Sequence, residues 1–155
     1  NDETMNIVNK RSIDLLLNLG TPRILSKEII DTPNIGVLNC HPGILPDYRG
    51  CTCVEWALYN NDLVGNTCHI MSNKIDEGPI IYKKLIDFKE MNSYQEIRRR
   101  VYLDSITCFE AAITLLKDNN LESFEVPIDG KYYKPIEDSK MKIIYERYGN
   151  EFDEK

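Results

Sequence analysis

The chain has no Cys-x-x-Cys pair, no apolar run long enough to span a membrane, no signal peptide, and no internal repeat or low-complexity segment. These absences argue against a membrane span and a repeat architecture. An excess of positive charge is also missing. The net charge of −6 argues against a nucleic-acid surface as the main partner, while leaving room for a local basic patch. Cys40, Cys51, Cys53, Cys68 and Cys108 are an odd set, which fits reduced cytosolic thiols better than a disulfide framework. Cys40, His41, Cys51, Cys53 and His69 raise the question of zinc, but Cys-x-Cys lacks the usual ligand spacing, and no metal is expected. The chain does not begin with Met, so a native start upstream is expected. What remains is an ordinary soluble composition, 42% hydrophobic and 28% charged over 155 residues, enough for one domain with a real core.

The most informative stretch runs from Ile35 to Gly50. It begins as a short apolar run that reads as a buried strand, and Pro42, Gly43, Pro46 and Gly50 then force the chain out of regular structure. Asn39 and His41 stand two apart, so on a strand they share a face. The pattern therefore delivers an amide donor and a titratable imidazole to the carboxyl end of a strand, where open α/β sheets bind ligands. A satisfied histidine before a Pro-rich turn explains the dipeptide spacing about equally well.

Around this stretch the pattern alternates strands and helices. A short polar helix is expected from Asp2 to Arg11, a buried strand from Ile13 to Leu19, a loop from Thr21 to Leu25, and a short helix capped by Ser26. The order strand, helix, strand implies a right-handed crossover in a parallel sheet. Thr52 to Asn60 reads as a helix, Thr67 to Met71 and Ile80 to Phe88 as strands, with Ser72 to Pro79 as the loop between them. Ser93 and Glu96 form a capping box, and Ile97, Val101, Ile106, Phe109, Ile113 and Leu116 supply the apolar stripe of a long helix. Arg98, Arg99 and Arg100 on that helix read as a solvated face. Phe124, Val126 and Ile128 alternate as a strand, Asp129-Gly130 turns, and Tyr132-Tyr133 starts a return strand. Met141, Ile144 and Tyr148 mark a last helix.

Asn39, His41 and Asp76 form the candidate chemistry, provided that the sheet order places the loop carrying Asp76 beside the end of the Asn39–His41 strand. Such a trio suits attack of an amine on a carbonyl carbon. The Asn amide can donate to a developing oxyanion, a contribution of about 3 to 4 kcal/mol for one donor. His can donate to the same oxygen or move a proton, and a carboxylate can orient it or accept the amine's proton. No Ser or Cys nucleophile is required.

The run Asn39-Cys40-His41-Pro42-Gly43-Ile44-Leu45-Pro46-Asp47-Tyr48-Arg49-Gly50, with Gly65-Asn66-Thr67-Cys68-His69 and Ile75-Asp76-Glu77-Gly78-Pro79-Ile80-Ile81, closely resembles the folate-dependent formyltransferases. That family includes glycinamide ribonucleotide, methionyl-tRNA and nucleotide-sugar N-formyltransferases. The resemblance covers about Asp14 to Leu116 and, more loosely, the paired tyrosines. It implies an α/β fold with a Rossmann-like, mostly parallel formyltransferase sheet, lacking or shortened in its first strands. It implies 10-formyltetrahydrofolate as the cofactor and Asn39, His41 and Asp76 as the catalytic residues. Pro22, Arg23, Ile24 and Leu25 are expected to line the pterin pocket through main-chain contacts, and Ser72, Asn73, Lys74 and Asp76 to close its other side. His69 matches a histidine near the site in this family, and a satisfied strand histidine is an equal reading. The implied partner is a small-molecule amine, with no membrane, with nucleic acid disfavoured and with a homodimer as one assembly.

Two departures bear on the reading. Many relatives have Ser where Gly43 stands, and the family's first strands should precede Asp14. The chain is thus expected to be a single formyltransferase domain over 1–155 or an excerpt of a longer protein, with an unprotected sheet edge at the Ile13–Leu19 strand. The deformylase branch carries His-His-Ser after the Asn, whereas Pro42-Gly43 follows His41 here, which favours transfer over hydrolysis. A silent binding domain is the third reading. Tyr48-Arg49-Gly50 followed by Trp56-Ala57-Leu58 resembles the amino-sugar enzymes, so the expected acceptor is a nucleotide-linked amino sugar in a cytoplasmic enzyme.

Overall fold

The computed structural model describes residues 2–21, 24–127 and 129–150. Its elements run α1 (Asp2–Lys10), β1 (Leu15–Asn18), α2 (Lys27–Asp31), β2 (Gly36–His41), β3 (Arg49–Gly50), α3 (Cys53–Tyr59), β4 (Gly65–Ile70), β5 (Ile80–Leu85), α4 (Tyr94–Asp118), β6 (Tyr132–Tyr133) and α5 (Asp138–Tyr148), with a 3-10 turn at Leu121–Ser123. The main sheet has the order β1-β2-β4-β5, and β3 and β6 form a second, two-stranded sheet. The α/β class is as expected. The long α4 and the terminal α5 also stand where their apolar spacing puts them.

The strand directions need a correction. Within the main sheet only β1 and β2 pair in parallel; β2 with β4 and β4 with β5 are antiparallel, so that sheet is not mostly parallel. The physical reason lies in the connections. A parallel return needs a dozen or more residues to carry the chain back to the starting end, and the link from β4 to β5 is too short for that. After β2 the chain stays at the end it has reached. The Leu45 N–H donates to Thr67 Oγ1 at 3.1 Å, and that hydroxyl donates to the Gly43 carbonyl at 2.7 Å. These bonds pin the loop after β2 to the start of β4, which therefore re-enters the sheet at the same end.

The end of the chain is also rearranged relative to expectation. Glu125 makes only an isolated bridge to Ile80, and Pro127, with no N–H to donate, ends the pairing. Ile128 lies outside the described residues. Tyr132 and Tyr133 pair in parallel with Arg49 and Gly50 instead of returning on residues 124–126.

Two apolar clusters make up the core. Tyr48, Val54, Leu58, Ile97, Val101, Tyr133 and Ile144 anchor one; Leu38, Ile70, Ile81, Phe109, Ala112 and Leu116 anchor the other. Helix α4, about 37 Å long at 1.5 Å per residue, joins the two with successive turns of one face. That face carries Asp104 instead of Ile106, which is 61% exposed; residue 104 continues the 97, 101, 108 spacing and residue 106 does not. The Ser93 hydroxyl accepts from the Glu96 N–H, while the Glu96 carboxylate accepts from the Asn92 N–H, one residue earlier than a capping box predicts. Arg98 is less solvated than expected, for it pairs with the buried Glu55 at 3.3 Å and donates to the Tyr94 hydroxyl.

Gly78 shows how tightly the loop between β4 and β5 is folded against its own strand. A Cβ at that position would stand 1.6 Å from the Ile70 carbonyl oxygen, a backbone atom that cannot rotate away. Gly78→Ala is therefore expected to lower stability by about 3 kcal/mol, read as a drop in thermal midpoint. An unchanged midpoint would show that the loop is looser than this packing.

Candidate active site

The register of the sheet builds the site. Asn18 of β1 stands opposite Asn39 of β2, and Asn39 stands opposite His69 of β4. Three polar side chains thus form one row across three adjacent strands, on the sheet face that meets the loops. His41 lies two residues beyond Asn39, opposite Thr67. The expected shared face of Asn39 and His41 is what the strand delivers, since both line a single cavity of about 740 Å³.

Asp76 reaches this row from the loop after β4. Its Oδ2 accepts the Gly50 N–H at 2.8 Å and lies 3.5 Å from His41 Nδ1, while its Oδ1 is 3.6 Å from His69 Nε2. The loop is tied down beside it: Arg49 donates to the Ile75 carbonyl at 2.9 Å and pairs with Glu77, which also meets Lys74 at 3.1 Å. Asp76 itself has φ +54, a left-handed conformation that Asp tolerates better than most residues. These ties hold the carboxylate where it is, against that conformational cost.

His41 is buried, and its Nε2 lies 2.7 Å from the Tyr48 carbonyl oxygen. A carbonyl only accepts, so Nε2 carries the hydrogen and Nδ1 faces Asp76. Burial pushes the His41 pKa below its ordinary 6.5, although the charge of Asp76 and the Tyr48 carbonyl pull the other way. For Asp76, burial alone would raise the pKa. Contact with His69 and His41 and the hydrogen bond from Gly50 outweigh it, and the group stays below its ordinary 3.8. The structure therefore holds an ionised carboxylate beside a neutral imidazole. Gly43 makes this arrangement possible: a Cβ there would come within 2.8 Å of His41 Nε2 and 2.9 Å of the Tyr48 oxygen it bonds. A serine at this position would push apart the pair that fixes the ring.

Of the residues expected to hold the cofactor, Ile24, Leu25, Ser72, Asn73, Lys74 and Asp76 all line the cavity; Pro22 and Arg23 lie outside the described residues. Asn18, Thr21, Lys27, Ile30, Cys51, His69, Met71, Ile75 and Tyr132 complete the wall. Asn18 was not predicted. Its one signal is a polar amide ending the run Leu15-Leu16-Leu17, at the same strand end as Asn39. His69 is engaged by both Asn39 and Asp76, so it belongs to the cluster. All five cysteines are free thiols, and among the described residues no three His, Cys, Asp or Glu side chains gather as metal ligands. No helix among them is long and apolar enough to cross a membrane.

Residues 1–120 match the formyl transferase family, and the chain belongs to that family. It is 29% identical over 151 residues to the methionyl-tRNA formyltransferase of Trichodesmium erythraeum, covering 95% of this chain and 44% of that protein. Among solved structures it is similar to the formyltransferase PseJ from Anoxybacillus kamchatkensis, crystallised with UDP-4,6-dideoxy-4-formamido-L-AltNAc and tetrahydrofolate. That likeness has a TM-score of 0.69 and 18% identity, covering 88% of this chain and 72% of the other. The glycinamide ribonucleotide transformylase 1 from Symbiobacterium toebii matches with a TM-score of 0.66 and 25% identity, over 75% of this chain and 55% of that one. The chain spans less than half the length of the curated relative, with 44% of it matched.

The lowered His41 pKa has a consequence for stability. Below pH 6.5 the unfolded chain binds a proton at this histidine that the folded chain resists, so the folded state loses stability as pH falls through that region. Asp76 adds to the loss only below 3.8, where its folded form still resists protonation. The thermal midpoint should therefore drop between pH 7 and pH 5 in the wild type, and drop less in His41→Gln. Equal slopes in the two proteins would contradict a buried neutral His41.

Proposed function

We propose that the protein transfers a formyl group from 10-formyltetrahydrofolate to a primary amine, and that the acceptor is a nucleotide-linked amino sugar. The observation that carries this reading is the convergence of Asn39, His41 and Asp76 on the wall of one cavity of about 740 Å³. The cavity is within the usual size range for a small-molecule site. Ile24, Leu25, Ile30, Met71 and Ile75 offer apolar surface to a flat pterin ring, while Asn18, Asn39 and Ser72 offer polar groups. This mixture fits the folate, held between the loop around Thr21–Leu25 and the loop Ser72–Asp76.

When bound, the folate supplies an activated formyl carbon that an amine can attack. Asn39 gives one Nδ2 hydrogen to His69, and its other N–H is open to the cavity. That N–H meets the negative charge that develops on the formyl oxygen. The attacking nitrogen must lose a proton. His41 Nδ1 and the Asp76 carboxylate, 3.5 Å apart, form the acceptor pair, and a proton arriving on Nδ1 is held beside a negative charge. Because Nε2–H is committed to Tyr48, His41 serves as a proton carrier and not as the oxyanion donor. The pair then returns the proton to the leaving nitrogen, so no charge accumulates in the site.

The acceptor reading is supported by the net charge of −6, which disfavours a polyanionic tRNA. The sugar nucleotide bound in the similar PseJ structure supports it as well.

The test is to incubate the protein with 10-formyltetrahydrofolate and, separately, a UDP-linked amino sugar, glycinamide ribonucleotide and methionyl-tRNA. Products are read by mass spectrometry. Formyl transfer to the sugar alone is expected, and transfer to another amine would replace the acceptor class. Formate released at full rate without any amine would identify a hydrolase instead. Asn39→Ala and His41→Ala should each lower turnover by about a hundredfold or more. Asp76→Asn keeps its shape and should still show the rise in thermal midpoint with tetrahydrofolate, while turnover collapses. Normal turnover in Asp76→Asn would leave Asp76 as a turn residue.

A further inference from the structure

We propose that Asn18 is a positioning residue that sets which way the Asn39 amide points, and thereby fixes the tautomer of His69. This inference rests on the formyl-transfer reading for its kinetic consequence only. The argument begins at a group whose role cannot change. The Thr21 backbone N–H lies 3.0 Å from one side-chain atom of Asn18, and the Thr21 hydroxyl reaches the same atom. A backbone N–H only donates, so that atom is the Asn18 oxygen. The other end of the Asn18 amide is then its NH2 group, which meets Asn39 at 2.9 Å and must find an oxygen there. The Asn39 NH2 is thereby turned to the opposite side, where it meets His69 Nε2 at 3.1 Å. An NH2 donates, so Nε2 must be a bare acceptor and the ring hydrogen must sit on Nδ1; Asp76 Oδ1, 3.6 Å from the same nitrogen, stands beyond hydrogen-bond reach and takes no hydrogen from it. Nδ1 lies 3.2 Å from the Ile70 carbonyl oxygen, which accepts it.

The chain of bonds thus runs in one direction, from a backbone N–H to a backbone carbonyl, through three side chains placed in one row by the sheet register. Reversal at any member would set two donors or two acceptors face to face. The consequence for the site is that the Asn39 N–H groups lie on the side of β2 that faces β4 and Asp76, where the amine and formyl group would meet. With the amide reversed, the oxygen would occupy that side and the donor would be lost to the reaction.

The deciding variant is Asn18→Asp, which keeps size and accepts from Thr21 but has no hydrogen for Asn39. Asn39 should then turn its NH2 toward residue 18 and present oxygen to His69, which must move its hydrogen to Nε2. Long-range proton–nitrogen NMR of the imidazole reads this directly: Nδ1–H in the wild type and Nε2–H in Asn18→Asp. Turnover in Asn18→Asp should fall to the level of Asn39→Ala, about a hundredfold. Asn18→Ala removes the donor without adding charge, and should lower kcat on the order of tenfold. Combined with Asn39→Ala it should cost nothing more than Asn39→Ala alone. A His69 that keeps Nδ1–H in Asn18→Asp, or additive losses in the double variant, would overturn the proposal. If the tautomer switches but the wild type transfers no formyl group, the positioning role stands and the functional reading falls.

Discussion

The site depends on one constraint above the rest, the antiparallel register of β2 against β4. It puts Asn39 opposite His69 and His41 opposite Thr67, and β1 extends the same row with Asn18. Side chains on strands alternate faces, so a slip of one residue would send Asn39 to the other side of the sheet. The register is secured from several directions. β4 is buried along its whole length, and its polar members are all occupied: Asn66 donates to the Val101 carbonyl at 2.7 Å, Thr67 bonds the loop after β2, and His69 bonds Asn39. A buried strand carrying three polar side chains is stable only in the one alignment that partners them, because an unpartnered buried group costs about 1 to 3 kcal/mol. The polar residues therefore specify the alignment that the apolar clusters alone would leave open.

A second demand is to keep a carboxylate charged beside two imidazoles in a nearly closed place. Asp76 is only 11% exposed, and burial works against its ionised form. The solution is local. The Gly50 N–H is presented to it by the short β3–β6 pairing, and Arg49, the other member of β3, holds the loop by the Ile75 carbonyl. Two residues of strand thus position the cation that ties the loop and the amide that supports the charge. The small second sheet serves the site although it lies outside the main one.

The parts legible in the sequence were those set by local chemistry. Two residues at strand spacing before Pro42 gave Asn39 and His41 a common face, and the loop with Gly78-Pro79 gave Asp76 its turn. The long apolar periodicity of α4 gave a helix from its cap onward. What stayed hidden depended on partners distant in the chain. Apolar runs do not encode direction, so the antiparallel course of β4 followed only from the bonds of Gly43 and Leu45 to Thr67. The two-residue β6 carries too little pattern to announce that it pairs with Arg49 and Gly50. Arg98 read as solvated because its partner, Glu55, lies on another helix. Asn18 read as one more residue of the Ile13–Leu19 strand because its role exists only in the row with Asn39.

The site also divides its work between rigid and adaptable parts. Asn39, His41 and His69 stand on strands packed into the sheet, where small displacements are resisted by close packing. The remaining cavity wall comes largely from loops, namely Thr21, Ile24 and Leu25 before α2 and residues 71–76 after β4, with the tip of β6 at Tyr132. Loops tolerate changes in sequence and shape far better than buried strands. A single arrangement for attack on a carbonyl carbon can then persist while the groups that touch the rest of a substrate vary. Asp76 is the exception, a charge carried by a loop but clamped to β3 as firmly as a strand residue. Its position shows where the division must fail. In the proposed reaction Asp76 would take its proton at the boundary between the fixed imidazoles and the adaptable wall, where an amine bound against the wall would meet the strand residues.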